Sequence, residues 1–314
     1  LRAGDASCPN GFIYWFRQVD CFGSAVLRDR KGALFLTILA GVLWGTSFPA
    51  IKIGLMSVDP FMFVFLRMFL ASVLVLLISS VTKSLDVSLA KERLVWYLGL
   101  LNGFAYLVQY LGMSATTASK SSLLVNLSAV WVAVLSWFVL KERFSKEKML
   151  GIVSGLIGVF FITTNLNLLE LTQGMIIGDG LVFLSGILWS FFIVYNKKII
   201  DAYNAIQFMP WIFLATTLPL TPFIFLSSNS SLLNLSDEAW TAIVYTAIFC
   251  WLIPYYLWLK GLKHISPVAS TIILLIEVIV AIAVSFFFLG ETFTMIAGIG
   301  ASLIFLAIIL VSIS

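Results

Sequence analysis

The chain has 314 residues, 61% of them apolar or aromatic and only 11% charged, with a mean hydropathy of +1.06. Soluble domains carry about 25% charged residues, so a water-soluble globule is excluded and the protein works in or across a bilayer. The three cysteines (Cys8, Cys21, Cys250) and the single histidine, His264, have no metal-ligand spacing, which leaves no disulfide framework, zinc site or cofactor to expect.

Residues 1–30 lack the continuous apolar centre of a secretory signal. They read as a cytoplasmic tail or an artefact of the gene start, with an amphipathic surface helix using Phe12, Trp15 and Phe16 as the alternative. From Ala33 onward the sequence divides into ten apolar runs, 33–53, 60–81, 94–113, 119–140, 148–165, 175–196, 205–227, 239–260, 267–289 and 292–313. Each approaches the length of about 20 residues that crosses hydrocarbon as a helix. The expected fold class is therefore an all-α polytopic membrane protein with ten transmembrane helices. Placing the N-terminus inside puts 16 of the 19 Lys and Arg in the tail and the even loops, leaving Lys52 and Lys120 outside and Arg67 within the second span. By the positive-inside rule both termini are expected in the cytoplasm, in a multi-pass protein of the plasma (inner) membrane.

In the first span, Pro49 frees the carbonyl near Gly45 beside Thr46 and Ser47, which suits either gating or a purely structural bend. Arg67 lies about 10 Å along the second span from its outer end and reads as a structural tie in preference to a substrate-carboxylate contact. The third span carries Asn102, Tyr106, Gln109 and Met113 at steps of 4, 3 and 4, one helical face that either lines a wet cavity or bonds to other helices. Ser119, Ser122 and Asn126 form a similar stripe in the fourth. G-I-V-S-G at 151, like G-V-L-W-G at 41, fits close helix packing within the chain. I-I-G-D at 176 lacks the first glycine and the second aspartate of an intramembrane protease. Pro254 repeats the proline break in the eighth span, next to Tyr255 and Trp258. Glu277 is the only acid near the midplane, read as a proton or amine site or as a protonated structural group.

Shifting the sequence by 145 residues matches Trp44 with Trp189, and a shift of 149 matches Tyr106 with Tyr255, Glu142 with Glu291 and Gly151 with Gly300. A duplicated five-span unit must insert upside down, and the matching loops should then lose their cations. Lys141, Arg143, Lys146 and Lys148 indeed become Gly290, Thr292, Met295 and Ala297. Two inverted repeats, 31–166 and 174–314, are expected to enclose a central cavity. Its expected lining is Trp44, Ser47, Asn102, Tyr106, Gln109, Ser122, Asn126, Trp189, Tyr255, Trp258 and Glu277, with the paired aromatics either touching substrate or packing.

W-G-T-S-F-P-A-I-K-I-G-L from Trp44, Arg67 in F-L-R-M-F, A-S-K-S-S-L-L-V-N-L from Ala118, K-E-R-F at 141, G-D-G-L-V-F-L-S-G-I-L-W at 178 and L-L-I-E-V-I-V-A followed by F-L-G-E-T-F complete the pattern. In their order and spacing the sequence resembles the EamA-type branch of the drug/metabolite transporter superfamily over residues 31–314. The resemblance implies a ten-helix carrier moving small metabolites outward by alternating access, its cavity formed by spans 1, 3, 4, 6, 8 and 9. Val278 replaces the usual proline after the ninth-span Glu, leaving the helix shape there open. The expected function is export of an amino acid or an amphipathic or aromatic compound. An intramembrane enzyme acting on lipid or peptide is the alternative, as is a sugar-phosphate or nucleotide-sugar carrier of the same superfamily, which the scarcity of cavity cations disfavours. The expected partners are a small-molecule solute, the lipid bilayer and, through Glu277, protons, with no nucleic acid; a monomer suffices for this architecture.

Overall fold

The computed structural model describes residues 30–113, 115–116, 123–169, 176–224, 235–289 and 294–313, except for the side chains of Phe48, Pro49, Lys52, Ser285, Phe288 and Leu289. Eight helices are long and apolar enough to cross a membrane. Two broken helical segments, the first and the seventh, occupy the remaining positions of the ten expected spans. In chain order these are α1a (Arg30–Gly45) with α1b (Ser47–Gly54), α2 (Pro60–Val81), α3 (Arg93–Met113), α4 (Leu123–Leu140), α5 (Lys146–Thr164) and α6 (Ile176–Ala202). They continue with α7 (Ala205–Thr217, extended to Ile224), α8 (Asp237–Leu262), α9a (Pro267–Leu274), α9b (Ile276–Leu289) and α10 (Met295–Ile313).

Polar residues between the apolar runs set the helix starts. Asp59 accepts from Phe61 N (2.9 Å) and Met62 N (3.3 Å) ahead of Pro60, while Ser145, Ser236 and Ser266 cap α5, α8 and α9a through their hydroxyls. Each such bond satisfies one of the amides that a helix N-terminus leaves unpaired. The sixth helix runs past its expected end at 196 to Ala202, because Lys197 pairs with Asp201 one turn on, at 3.0 Å, and carries the helix into the headgroup zone.

Packing follows a pseudo-twofold relation between the halves. Helix α3 packs on α6 and α7, and correspondingly α8 packs on α1 and α2; α4 on α6 is matched by α9 on α1; the pairs α2–α7, α4–α9 and α5–α10 map onto themselves. Residue registers at α5–α10 agree with the shift of 149. Ser154 Oγ donates to the carbonyl of Leu303 at 2.8 Å, a separation of 149 in sequence. The approach of Gly158 to Gly300, where an added Cβ would lie 2.6 Å from the carbonyl oxygen, is mirrored by Gly151 against Ala307. Two bulkier residues would hold these backbones apart.

Hydrogen bonds identify the two ends. At one lie Arg30 with Val311 O, Lys148 with Glu142 and Ser266, Lys197 with the carbonyls of Leu262 and Lys263, and Trp211 with Asp86 O. At the other lie Ser57 with Ser236, Thr116 with Asp179, and Asn165 with Thr294. The segment 141–148 therefore lies at one end and Thr294 at the other, as inversion of the second repeat requires. Thirteen Lys and Arg from Arg30 to Lys263 lie at or next to the first end, called the basic end below.

Candidate functional site

Four helices break near mid-height. Helix α1 turns at Thr46, three residues before Pro49, whose missing N–H cannot reach the carbonyl of Gly45. The side chain of Pro49 lies outside the described residues. A π-turn at Ile248–Leu252 precedes Pro254 in α8, the added residue absorbing the bond that Pro254 cannot make to Cys250. Helices α4 and α9 break at Leu127 and Leu275, with the same tightened bond in each, Val130 N to Leu127 O (3.0 Å) and Val278 N to Leu275 O (3.1 Å). The ninth helix thus breaks without the proline that Val278 replaces.

These breaks border an aromatic cluster at the junction of the halves. Tyr106 of α3 meets Trp189 of α6 and Trp251 of α8 edge-on, with ring centroids 5.3 and 5.6 Å apart. Trp251 continues to Tyr255 (5.5 Å) and Tyr255 to Trp258 (5.6 Å), while Trp44 of α1 reaches Trp258 at 6.1 Å. Toward the basic end the cluster is dry and fastened. Tyr255 and Trp258 are buried; the Tyr255 hydroxyl donates to Asn196 Oδ1 at 2.7 Å, and Trp258 Nε1 donates to Ser270 Oγ at 2.7 Å.

Around Tyr106 the situation differs. Tyr106, Tyr110 and Glu277, like Trp44 and Trp189, are half-buried and keep accessible surface. Glu277 stands in the first turn of α9b, where the amide dipoles at the helix start favour a carboxylate. Span 1 presses against it: a Cβ on Gly45 would lie 2.7 Å from Glu277 O and 2.6 Å from Val280 Cβ. Arg67 is 4% exposed and has its Nε buried without a hydrogen-bond partner among the described residues.

The remaining expected residues divide. Ser47 is buried at the first position of α1b, behind the Thr46 break. Asn102 turns away from the cluster: it is buried and donates to Thr216 Oγ1 of α7 at 3.2 Å. Gln109 is half-buried, and Met113, 39% exposed, faces outward. Asn126 sits at the α4 break, half-buried; Ser122 lies outside the described residues. Sequence reasoning missed Tyr110, Trp251, Asn196 and the pair Thr46–Tyr245, whose hydroxyls lie 2.9 Å apart. Tyr110 is one turn beyond Tyr106 and Trp251 one turn before Tyr255, so helical spacing from residues already singled out finds both.

Inverted halves and helices broken at mid-height give this multi-pass membrane protein the architecture of a secondary transporter. Residues 31–164 and 176–313 each match the model of the EamA-like transporter family, and the chain belongs to that family. It is 29% identical over 269 residues to a protein of Archaeoglobus fulgidus named an uncharacterized transporter, the match covering 84% of this chain and 92% of that one. It is 25% identical to the uncharacterized transporter YoaV of Bacillus subtilis, over 84% and 90% of the two chains. A crystal structure at 17% identity superimposes with a TM-score of 0.77, covering 90% of this chain and 96% of that one, a likeness that speaks to the fold alone.

Proposed function

We propose that the protein is a secondary carrier that exports a small amphipathic metabolite, an amino acid or an aromatic compound, across the cytoplasmic membrane by alternating access. The basic end faces the cytoplasm, together with both termini, in keeping with the positive-inside rule. The observation that carries the reading is the meeting of half-buried Trp44, Tyr106, Trp189 and Glu277 with four broken helices at the junction of the repeats. Such a junction is where an inverted-repeat carrier holds its solute.

Counterpart helices also differ in burial. Less than half of α3 is buried, but most of α8 is. A twofold relation obeyed in sequence and helix pairing but not in burial supports one closed and one looser side. The fastened layer of Asn196–Tyr255 and Trp258–Ser270 supports closure at the basic end. Exchange of the two arrangements between repeats would open that end and close the other, which is alternating access in structural terms. The test is counterflow of a labelled metabolite panel into proteoliposomes of the purified protein at two internal pH values. Saturable exchange of at least one amphipathic solute is expected; a chain that exchanges none of the panel is not this carrier.

A further inference from the structure

Hydrogen bonds locate the pseudo-twofold axis residue by residue. Helices α2 and α7 start from the caps Asp59 and Asn204, which are 145 residues apart, so the repeat shift holds along this pair. Thirteen residues beyond each cap stand Ser72 and Thr217, both buried, with their hydroxyl oxygens 3.0 Å apart. Each is thus bonded to its own counterpart in the other repeat. The two helices start from opposite ends, and equal steps of about 20 Å by helical rise put this bond at mid-height. The pair α5 and α10 repeats the arrangement: Ser154 Oγ donates to Leu303 O at 2.8 Å, each nine residues beyond its cap, Ser145 or Thr294.

The protons at Ser72 and Thr217 show why this contact suits either half. Ser72 Oγ lies 2.8 Å from Met68 O and Thr217 Oγ1 lies 3.0 Å from Phe213 O, so three approaches share two hydroxyl protons. One hydroxyl donates to the carbonyl one turn back, and the other donates across to it. Met68 and Phe213 are themselves 145 residues apart, so the two proton placements that keep the bond are images of each other. The bond is made equally well whichever repeat takes which shape.

Off the axis the case is opposite. Tyr255 donates to Asn196 at 2.7 Å, but the matching positions are Tyr106 and Ile51, and an isoleucine side chain has no acceptor to offer. Tyr106 meets Trp189, whereas the matching Tyr255 and Trp44 make no ring contact and Trp44 reaches Trp258 instead. When inverted halves exchange shapes, a contact between two residues becomes the contact between their counterparts. Only a contact between a residue and its own counterpart returns to itself.

We propose that Ser72 and Thr217 are the pivot of the carrier: their bond stays made in the state closed at the basic end and in the opposite state, while the Tyr255–Asn196 bond exists only in the first. This rests on the alternating-access reading above and adds which residues the motion leaves in place. Removing the pivot bond weakens both states alike, so it lowers stability without shifting the balance between them.

The test uses the full chain without native cysteines, carrying Ala269→Cys, with maleimide labelling from the basic side as the measure of opening. Asn196→Ala is expected to accelerate labelling about tenfold. Ser72→Ala and Thr217→Val are expected to lower the melting temperature and to leave labelling within about twofold of the parent. In each, the remaining hydroxyl falls back on the carbonyl of its own helix, so no buried group is stranded and folding is spared. Labelling changed by about tenfold in either variant would overturn the pivot, because the bond would then belong to one state. A second measurement joins the pair as Ser72→Cys with Thr217→Cys, positions close enough for a disulfide, oxidised before labelling. The bridged protein is expected to keep the labelling rate and the counterflow of the reduced protein; loss of either, restored by reduction, overturns the pivot. Counterflow absent from the parent while labelling behaves as described would remove the carrier reading and leave the pivot. Counterflow present in the parent and lost only on bridging would remove the pivot and leave the carrier.

Discussion

The bond between Tyr255 and Asn196 offers the sharpest test of the wall at the basic end. Both side chains are fully buried, and the hydroxyl meets the amide oxygen at 2.7 Å while Asn196 Nδ2 donates to Phe192 O at 2.8 Å. Asn196→Ala removes the acceptor and leaves a phenol hydroxyl unsatisfied in a dry aromatic layer, a cost of about 1–3 kcal/mol. Tyr255→Phe keeps the ring stacking on Phe192 and Trp251 but strands the amide oxygen, at a similar cost of about 1–3 kcal/mol. The double variant leaves neither group stranded, so its cost should fall short of the sum by about 1 kcal/mol. If this layer closes the basic end, the loss falls on the closed state, and Asn196→Ala should raise opening by about tenfold, the ratio that ~1.4 kcal/mol represents. The assay pairs thermal unfolding in detergent with maleimide labelling of Ala269→Cys, which replaces a buried residue near Ser270, in a background without native cysteines. Labelling from the basic side should accelerate in Asn196→Ala. Strictly additive stabilities together with unchanged labelling would refute the reasoning, because the bond would then neither hold nor close anything.

Two further outcomes follow from the basic end. Lys148 lies 2.7 Å from Glu142, both little exposed, and Glu142 Oε2 has no other partner among the described residues, so Lys148→Met should destabilise by about 3–5 kcal/mol. Adding Glu142→Gln should recover a large part, read as a rise in melting temperature relative to the single variant. His264, exposed at the basic end, has its imidazole pKa lowered below the ordinary histidine value by partial desolvation and by Lys197, Lys263 and Lys260, with Asp201 opposing. The folded protein then binds fewer protons than the unfolded chain below about pH 6.5, so stability is full above that value and falls as pH drops through it. His264→Gln should flatten this part of the profile of melting temperature against pH; an unchanged slope would place the sensitivity elsewhere.

The spans were legible because hydrocarbon imposes a length that the apolar runs must meet, and the repeat because cations cannot follow a unit turned upside down. Breaks were legible only where covalent chemistry announces them. Pro49 and Pro254 each lack the donor that a regular helix needs, and α1 and α8 deviate within a few residues of them. The break at Leu275 has no such signal, since Ile276, Glu277 and Val278 are all compatible with an unbroken helix. Its twin at Leu127 and the contact of Glu277 and Val280 with Gly45 place its origin in packing between helices, which no local window contains.

The third helix gives the same lesson for the site. Asn102, Tyr106 and Gln109 share a face by spacing, yet helices that cross at an angle change neighbours along their length. Near Gly99 and Gly103 that face meets α7, where Thr216 takes up Asn102; by Gly112 it meets α6. In the stretch between, Tyr106 and Tyr110 stay half-buried, and Tyr106 meets the aromatic cluster. A polar stripe therefore states that a helix has partners for those groups, and which of them face solute depends on where its neighbours part. In this fold α3 changes neighbours beside the breaks of α1, α4, α8 and α9, and there Tyr106 meets Trp189 and Trp251 on two different helices.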